Sequence, residues 1–143
     1  MRLKTLLLGT TLALLAGVAD ARDTRLKLSI AEAIEQGRSE GIISDDVAFH
    51  FGKGRRGGYG KKLGSDIANR KTNAVNKTDK EACNWVFLSA LKALQDKARD
   101  LDAKAVVEIV SYYKKKEFSS TTEYECAVGN IIAGVALKGS YAR

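Results

Sequence analysis

The sequence predicts an α+β domain: one long helix on a three- or four-stranded, mainly antiparallel sheet, with a short helix near the N-terminus. Residues 78–101 have the apolar period of an amphipathic helix, and several shorter apolar segments have the composition or alternation of strands. Of the two cysteines, Cys83 lies in the helical segment and Cys126 in a strand segment. A helix-to-strand disulfide is therefore the leading prediction for this pair.

Residues 1–21 have the features of a cleavable signal peptide. Arg2 and Lys4 precede an apolar stretch over 6–18, and Ala19-Asp20-Ala21 supplies a small-x-small cleavage site. A retained membrane anchor or a buried helix is the alternative, but the apolar stretch is short for a spanning helix. No cysteine lies near the cleavage point, so a lipoprotein is not predicted. We expect a periplasmic protein with a single domain at 22–143 and no transmembrane segment in the mature chain.

The charge balance is basic, with a net charge of +7. Residues 22–143 carry 22 basic and 16 acidic side chains, so the predicted mature chain stays basic. Such a balance favours acidic partners such as anionic headgroups, polyanionic glycolipid, nucleic acid or acidic proteins.

The first elements after the leader are a short helix and a short strand. Ser29 and Glu32 form a capping box that begins a helix, and Gly37 can end it. Residues 47–51 then alternate between apolar and other side chains, as in a half-buried strand.

Residues 52–77 are predicted to form a flexible basic loop rich in glycine near its start. Little apolar area is available here to offset the entropy of ordering the glycines. Mobile cations can bind phosphates without fixed geometry, so this loop is the candidate polyanion site. A solvated loop without a ligand is at least as plausible. The candidate residues are Lys53, Arg55, Arg56, Lys61 and Lys62.

The long helix begins at a second capping box, formed by Thr78 and Glu81. Trp85 and Leu88 lie off its apolar stripe and are predicted to pack under the preceding loop or to form an oligomer contact. The stripe itself contains Cys83, Phe87, Ala90, Leu91, Leu94, Ala98 and Leu101.

Three strands are predicted after the helix, at 104–113, 121–128 and 131–141. Both faces of the first are apolar, which indicates a strand covered on both sides and leaves oligomerisation open. Alternation predicts one face of that strand to carry Ala105, Val107 and Ile109, and the other Val106, Val110 and Tyr112. The second strand directs Tyr124, Cys126 and Val128 to one face.

The two cysteines thus both point inward, which supports a bond between them. Two thiols in an oxidising compartment are usually bonded, and the alternative, a redox-active pair, lacks the Cys-x-x-Cys spacing. The loop closed is 43 residues long, which in the chain-entropy model is worth about 4 kcal/mol.

Several motifs form a recognisable pattern. They are Cys83 opening the helix, Ala-Leu-x-x-Leu-x-x-x-Ala at 90–98, Leu-Asp-Ala-Lys-Ala-Val-Val-Glu-Ile at 101–109, Tyr-Glu-Cys-Ala-Val-Gly at 124–129 and Gly-Val-Ala-Leu-Lys-Gly at 134–139. Together they resemble the RcsF/YbjQ-like superfamily of small α/β domains. They look closest to short exported bacterial proteins often labelled "excinuclease ATPase subunit".

The resemblance implies a role in the cell envelope. In the RcsF-type stress sensors a disulfide joins the helix to a later strand, and Cys83 and Cys126 match that bond in position. A second disulfide and a lipidated cysteine of those sensors have no counterpart here. YbjQ-like relatives form ring oligomers and carry a heavy-metal-binding label. The excinuclease label does not fit the residues, because the Gly-x-x-x-x-Gly-Lys-Ser/Thr phosphate loop is missing.

The residues that carry chemistry do not form a recognisable catalytic set. His50 is the only histidine, and with the cysteines bonded only carboxylates such as Asp45 and Asp46 could join it as metal ligands. Glu123 and Glu125 share a strand face, for which an exposed edge is the commoner explanation. We therefore predict no catalytic residues, no metal and no cofactor.

The predicted function is a non-enzymatic periplasmic interaction or envelope-sensing module of the RcsF/YbjQ-like type. Its partner would be another envelope protein or a second copy of the chain. One alternative is polyanion binding through the basic loop, and another is a homo-oligomeric scaffold.

Overall fold

The computed structural model describes residues 22–54 and 59–143. The predicted signal peptide, and Arg55 and Arg56 of the predicted polyanion site, lie outside the described residues. The elements in chain order are β1 (Thr24–Ser29), α1 (Ile30–Ser39), β2 (Ala48–Phe51), β3 (Lys62–Asn73), α2 (Asp79–Asp100), β4 (Ala105–Ser111), β5 (Glu123–Val128) and β6 (Ile132–Ala142).

The strands form one curled, mixed sheet arranged around β6. One edge of β6 pairs with β3 along its whole length, and the other edge is shared by β5 and β4. β1 extends the sheet beyond β5, and β2 extends it beyond β4. Among the strand pairs of the described residues only β2–β4 is parallel, so the expectation of a mainly antiparallel sheet is confirmed.

The long helix matches its prediction closely. Thr78 and Glu81 form both hydrogen bonds of the capping box, and Leu101 is the C-cap. α2 packs on β6 and β3, and its buried stripe carries Cys83, Phe87, Leu91 and the other predicted core residues except Leu101, which is half-buried.

The helix-to-strand disulfide is confirmed. Cys83 on α2 and Cys126 on β5 are bonded, and both are fully buried. Beside the bond, the Phe87 ring stacks on the Tyr124 ring with centroids 4.1 Å apart. The disulfide and this aromatic pair attach the first half of α2 to β5 at the centre of the core.

α1 begins as predicted but ends later. The Ser29 hydroxyl accepts a hydrogen bond from the Glu32 backbone N–H at 3.2 Å. The helix passes through Gly37 and ends at Ser39. Gly37 is buried where α1 crosses α2, and a Cβ at this position would overlap Leu88 Cδ2. Gly37 therefore permits a close helix crossing, and its predicted role as a helix end is wrong.

The prediction of a loop over residues 52–77 is wrong for 62–73, which form β3. This strand lies at an edge of the sheet, and among its side chains only Ala68 is buried. It is held by backbone hydrogen bonds to β6, which need no apolar pattern. Within 22–54 and 59–143 the sheet has six strands, more than the three or four predicted, because the prediction missed β1 and β3.

The predicted alternation of β4 is wrong after Val107 because the strand contains a bulge. Glu108 has a positive φ of 53°, and the register with β6 shifts between Val107 and Val110. As a result Val106 and Ile109 share the core, and Val107 and Val110 are buried on the opposite face. We call the face toward α2 the inner face and the opposite one the outer face.

Candidate functional site

The outer face of the sheet carries basic side chains on β1, β3 and β6, while β5 adds Glu123 and Glu125 to the same face. On β6 the side chains of Ala133, Val135 and Leu137 belong to the core, so the alternate residues, among them Lys138, lie on the outer face. Residues directly opposite in a ladder share a face, and Lys71 lies opposite Gly134. By the same alternation β1 places Leu26 and Leu28 inward and Arg25 and Lys27 outward.

Three aromatic rings from the segment after β4 accompany these cations. Arg25 Cζ lies 4.4 Å from the centroid of the Tyr113 ring, and Lys27 Nζ lies 4.4 Å from that of Phe118. Lys138 Nζ lies 5.0 Å from the Tyr112 centroid. All three rings are half-buried. Cation–π attraction positions the charges without neutralising them. We call these three pairs the cation–aromatic band.

Residues 112–118, which carry the rings, contact β6 through a backbone hydrogen bond and through the Tyr113 ring. The Tyr112 backbone N–H donates to the Ala136 carbonyl at 2.8 Å. A Cβ on Gly134 would lie 3.2 Å from Tyr113 Cε2, so the glycine lets this ring approach the strand. The rings therefore have fixed positions on the sheet.

Two shallow grooves open beside the band. The first, of about 250 Å³, is lined by Arg22, Asp23, Lys71, Tyr113, Ala127, Gly129, Ile132 and Gly134. The second, of about 260 Å³, is lined by Lys53, Ser65, Glu108, Lys138, Gly139 and Ser140. Each groove also contains an acidic side chain, and Arg22 and Lys53 are ion-paired with Asp79 and Glu117, so Lys71 in the first groove and Lys138 in the second are the cations that could meet an anionic ligand.

Charge is divided between the two layers of the molecule. The segments 30–46 and 79–102, which contain the two helices and the residues that follow them, carry ten acidic and five basic side chains. The remaining described segments, 22–29, 47–54, 59–78 and 103–143, carry six acidic and fifteen basic ones. The helix side is thus acidic, mainly through Glu40, Asp45, Asp46 and Asp102, which follow the helices, and the excess positive charge belongs to the sheet and its loops.

The described residues of the predicted polyanion site are not gathered into one cluster of available charge. Lys53 forms an ion pair with Glu117, and this hydrogen bond holds the pKa of Lys53 above its ordinary value. Lys62 Nζ lies 2.7 Å from Glu108 Oε2. Lys61 is exposed. The two arginines are outside the described residues.

His50 lies just before the predicted loop at 52–77. Its ring centroid is 5.1 Å from that of Tyr59. It lines an open cavity of about 490 Å³ together with Phe49, Phe51, Gly52, Lys53, Gly54 and Thr121. Within 22–54 and 59–143, no three His, Cys, Asp or Glu side chains are grouped so as to hold a metal ion.

The two predicted interface residues have different environments. Trp85 is 52% exposed on α2. Leu88 is fully buried against α1, so the expectation that it lies off the buried stripe of the helix is wrong. The sequence did not indicate α1 as the element that covers it. An interface role stays a prediction for Trp85.

Glu123 and Glu125, paired in the sequence analysis, differ in exposure. Glu123 is exposed, and Glu125 is half-buried with its Oε1 accepting a hydrogen bond from Arg25 Nη1 at 3.1 Å.

The sequence analysis missed the outer-face cations. The signal that could have found two of them is the alternation Arg25, Leu26, Lys27, Leu28, which is typical of a half-buried strand. Lys71 and Lys138 could not be placed without the register of β3 on β6.

Comparison with protein-family models, with curated proteins and with solved structures finds no match to this chain. The two helices of the described segments include none with the length and apolar character needed to cross a bilayer.

Proposed function

We propose that this chain is a non-enzymatic interaction module of the bacterial envelope that binds anionic partners with the outer face of its sheet. The observation that carries the proposal is the division of charge between the layers. It directs an approaching polyanion to the sheet side and away from the helices.

The envelope location rests on three observations of different kinds. The first 21 residues have the pattern of a secretory signal, the motifs resemble the RcsF/YbjQ-like superfamily, and the two cysteines are bonded. Disulfides persist mainly in oxidising compartments such as the periplasm. Anionic glycolipid and phospholipid headgroups and acidic proteins are the polyanions of that compartment.

The cation–aromatic band supplies a recognition surface with defined positions. Long lysine and arginine side chains lose rotamer entropy when a ligand orders them. Here the rings of Tyr112, Tyr113 and Phe118 already hold three of these side chains. The cost of ordering is thereby reduced. The charges of Lys27 and Lys138 face phosphate, sulfate or carboxylate groups directly, whereas Arg25 is ion-paired with Glu125.

The proposal is tested by retention on immobilised heparin with a matched pair of variants. One triple variant replaces Lys27, Lys71 and Lys138 on the outer face by Ser. The control replaces Lys80, Lys92 and Lys97 on α2 by Ser and therefore has the same net charge. We expect the outer-face variant to elute at clearly lower salt and the control to elute close to the unchanged protein. Equal elution shifts for the two variants would show a response to net charge alone and would contradict the proposal.

A third variant tests the alternative site predicted from the sequence. It replaces Lys53, Arg55, Arg56, Lys61 and Lys62 by Ser. Retention that depends on this set and not on the outer face would move the binding site to the loop. Anionic vesicles containing phosphatidylglycerol, compared with neutral phosphatidylcholine vesicles, then show whether a membrane surface is among the ligands.

A further inference from the structure

β3 gives the sheet a long open edge. The strand has twelve residues, most with exposed side chains, and in the described part of the chain β6 is the only strand that pairs with it. An unpaired edge presents a row of N–H and C=O groups that can bind another strand.

The hydrogen bonding identifies which groups face outward. Ala74 N–H donates to the Ile131 carbonyl at 2.6 Å, in the same register that pairs β3 with β6. In an antiparallel ladder, residues of one parity direct both backbone groups to the same neighbour. Even-numbered residues from 64 on therefore face β6, and Ser65, Ile67, Asn69, Lys71 and Asn73 face outward. In agreement, the carbonyls of Asn69 and Asn73 accept hydrogen bonds from the side chains of Arg70 and Lys77.

We propose that β3 pairs antiparallel with β3 of a second copy of this chain, about a two-fold axis at Ala68, to form a continuous sheet across the dimer. Two identical strands can pair through their outward residues only if the two-fold axis passes at a residue and not between residues. This restricts the dimer to a few registers.

Charge selects among those registers. With the axis at Ala68, Asp66 lies opposite Arg70 of the second copy, and Arg70 lies opposite Asp66 of the second copy. An axis at Asp66 or at Arg70 places like charges opposite each other, and an axis at Ile67 or Asn69 leaves both charges without an opposite partner. Asp66 and Arg70 are even-numbered, so across the dimer they form non-hydrogen-bonded pairs, in which the opposed side chains lie closest.

The helix layer accommodates this arrangement. α2 packs on both β6 and β3, so its axis runs approximately above the line between these two strands. Strands are about 4.8 Å apart, which places the two copies of α2 about 10 Å apart, close to the usual 8–10 Å for packed helices. Lys97 and Leu101 line a groove with Leu63–Asp66, which identifies the flank of α2 above β3. One and two turns earlier, this flank carries the small, half-buried Ala93 and Ser89.

The test is the oligomeric state of the full chain by analytical ultracentrifugation over a wide concentration range. We expect a reversible monomer–dimer equilibrium. Ile67→Pro removes an outward N–H without removing a hydrogen bond to β6, and it should weaken the dimer at least tenfold. Ile67→Val, which keeps the N–H, is its matched control. Thermal unfolding with the disulfide intact checks that each variant is folded.

Charge-reversed variants test the register. Asp66→Arg and Arg70→Asp should each weaken self-association, because each places like charges opposite one another. An equimolar mixture of the two should form a heterodimer in which both pairs are again attractive. Tyr141→Phe removes the same Tyr141–Asp66 hydrogen bond that Asp66→Arg removes, and it should dimerise as the unchanged protein does. A strict monomer at the highest concentration, or a dimer indifferent to Ile67→Pro, would overturn the proposal. A dimer sensitive to Ile67→Pro in which the mixture fails to associate would overturn the register.

Discussion

The Tyr124 hydroxyl donates a 2.6 Å hydrogen bond to the side-chain carbonyl of Asn84, joining β5 to α2 beside the Cys83–Cys126 disulfide. Both residues are buried. The Asn84 amide in turn donates to Gln36 Oε1 of α1 at 3.2 Å, so three elements meet in one polar chain. Burial raises the pKa of the Tyr124 hydroxyl, which remains a donor at physiological pH.

Replacing Tyr124 by Phe leaves the Asn84 oxygen without this donor. We expect the free energy of unfolding to fall by about 1–3 kcal/mol, the cost of a buried unsatisfied polar group. Urea unfolding at neutral pH measures the change. In the double variant Tyr124→Phe with Asn84→Leu, part of the loss should return because no polar group is stranded. A loss in the double variant equal to the sum of the single losses would contradict this account.

Removing the disulfide should lower stability without changing the fold. Cys83 and Cys126 close a loop of 43 residues, worth about 4 kcal/mol in the chain-entropy model. The variant with both cysteines replaced by Ala should therefore unfold at clearly lower urea. The unchanged protein in excess dithiothreitol should shift in the same direction, and the Ala variant should be insensitive to dithiothreitol. Unfolding midpoints that stay unchanged on reduction would be inconsistent with a structural bond.

Gly37→Ala should destabilise the protein although alanine ordinarily favours a helix by about 1 kcal/mol over glycine. The added Cβ would overlap Leu88 Cδ2 and contact Ile43 Cγ1, at 3.1 Å. Overpacking of this kind costs about 1–3 kcal/mol. Thermal unfolding gives the sign, and shortening the opposing side chain with Leu88→Ala should relieve the overlap. Destabilisation by Gly37→Ala that is the same in both backgrounds would exclude this contact as the cause.

Asp46 should contribute stability that is lost in acid. Arg99 donates to both carboxylate oxygens, at 2.7 and 2.8 Å, and Ser44 donates at 2.6 Å. These hydrogen bonds, those from Arg99 foremost, hold the pKa of Asp46 well below its usual range. A carboxylate with a depressed folded-state pKa stabilises the fold above its unfolded pKa of about 3.9 and loses this effect as the pH falls further.

Asp46→Asn should accordingly be less stable than the unchanged protein at pH 7, with a difference that narrows progressively below about pH 4. Because the pair is exposed, the effect should be modest and should shrink in high salt. Urea unfolding from pH 7 to pH 2.5 measures it, with Asp100→Asn, an exposed carboxylate at the end of α2, as control. A difference that is constant over this pH range would contradict the assignment.

The parts of the fold that the sequence predicted are those in which one-sided burial imposes a period. α2 has both a capping box and an apolar stripe, and Cys126 shares its strand face with Tyr124 and Val128. Such local patterns can be recognised without knowing which elements pack against the segment.

The parts that failed depend on distant partners. β3 has few buried side chains, and its stability comes from a backbone ladder to residues about seventy positions later. The bulge at Glu108 changes which side chains of β4 enter the core, and nothing in the local alternation signals it. The cation–aromatic band requires the register of β1 on β5 and the path of residues 112–118, so the candidate site was missed for the same reason.

The position of β6 in the chain has a consequence for biosynthesis. It joins β3, β4 and β5, and it follows all of them in sequence. Until residues 132–142 have been synthesised, β3, β4 and β5 lack the strand on which they assemble. Most of the sheet therefore cannot form before β6 is complete. The central strand of the sheet therefore joins last, and contacts between residues far apart in sequence close the fold.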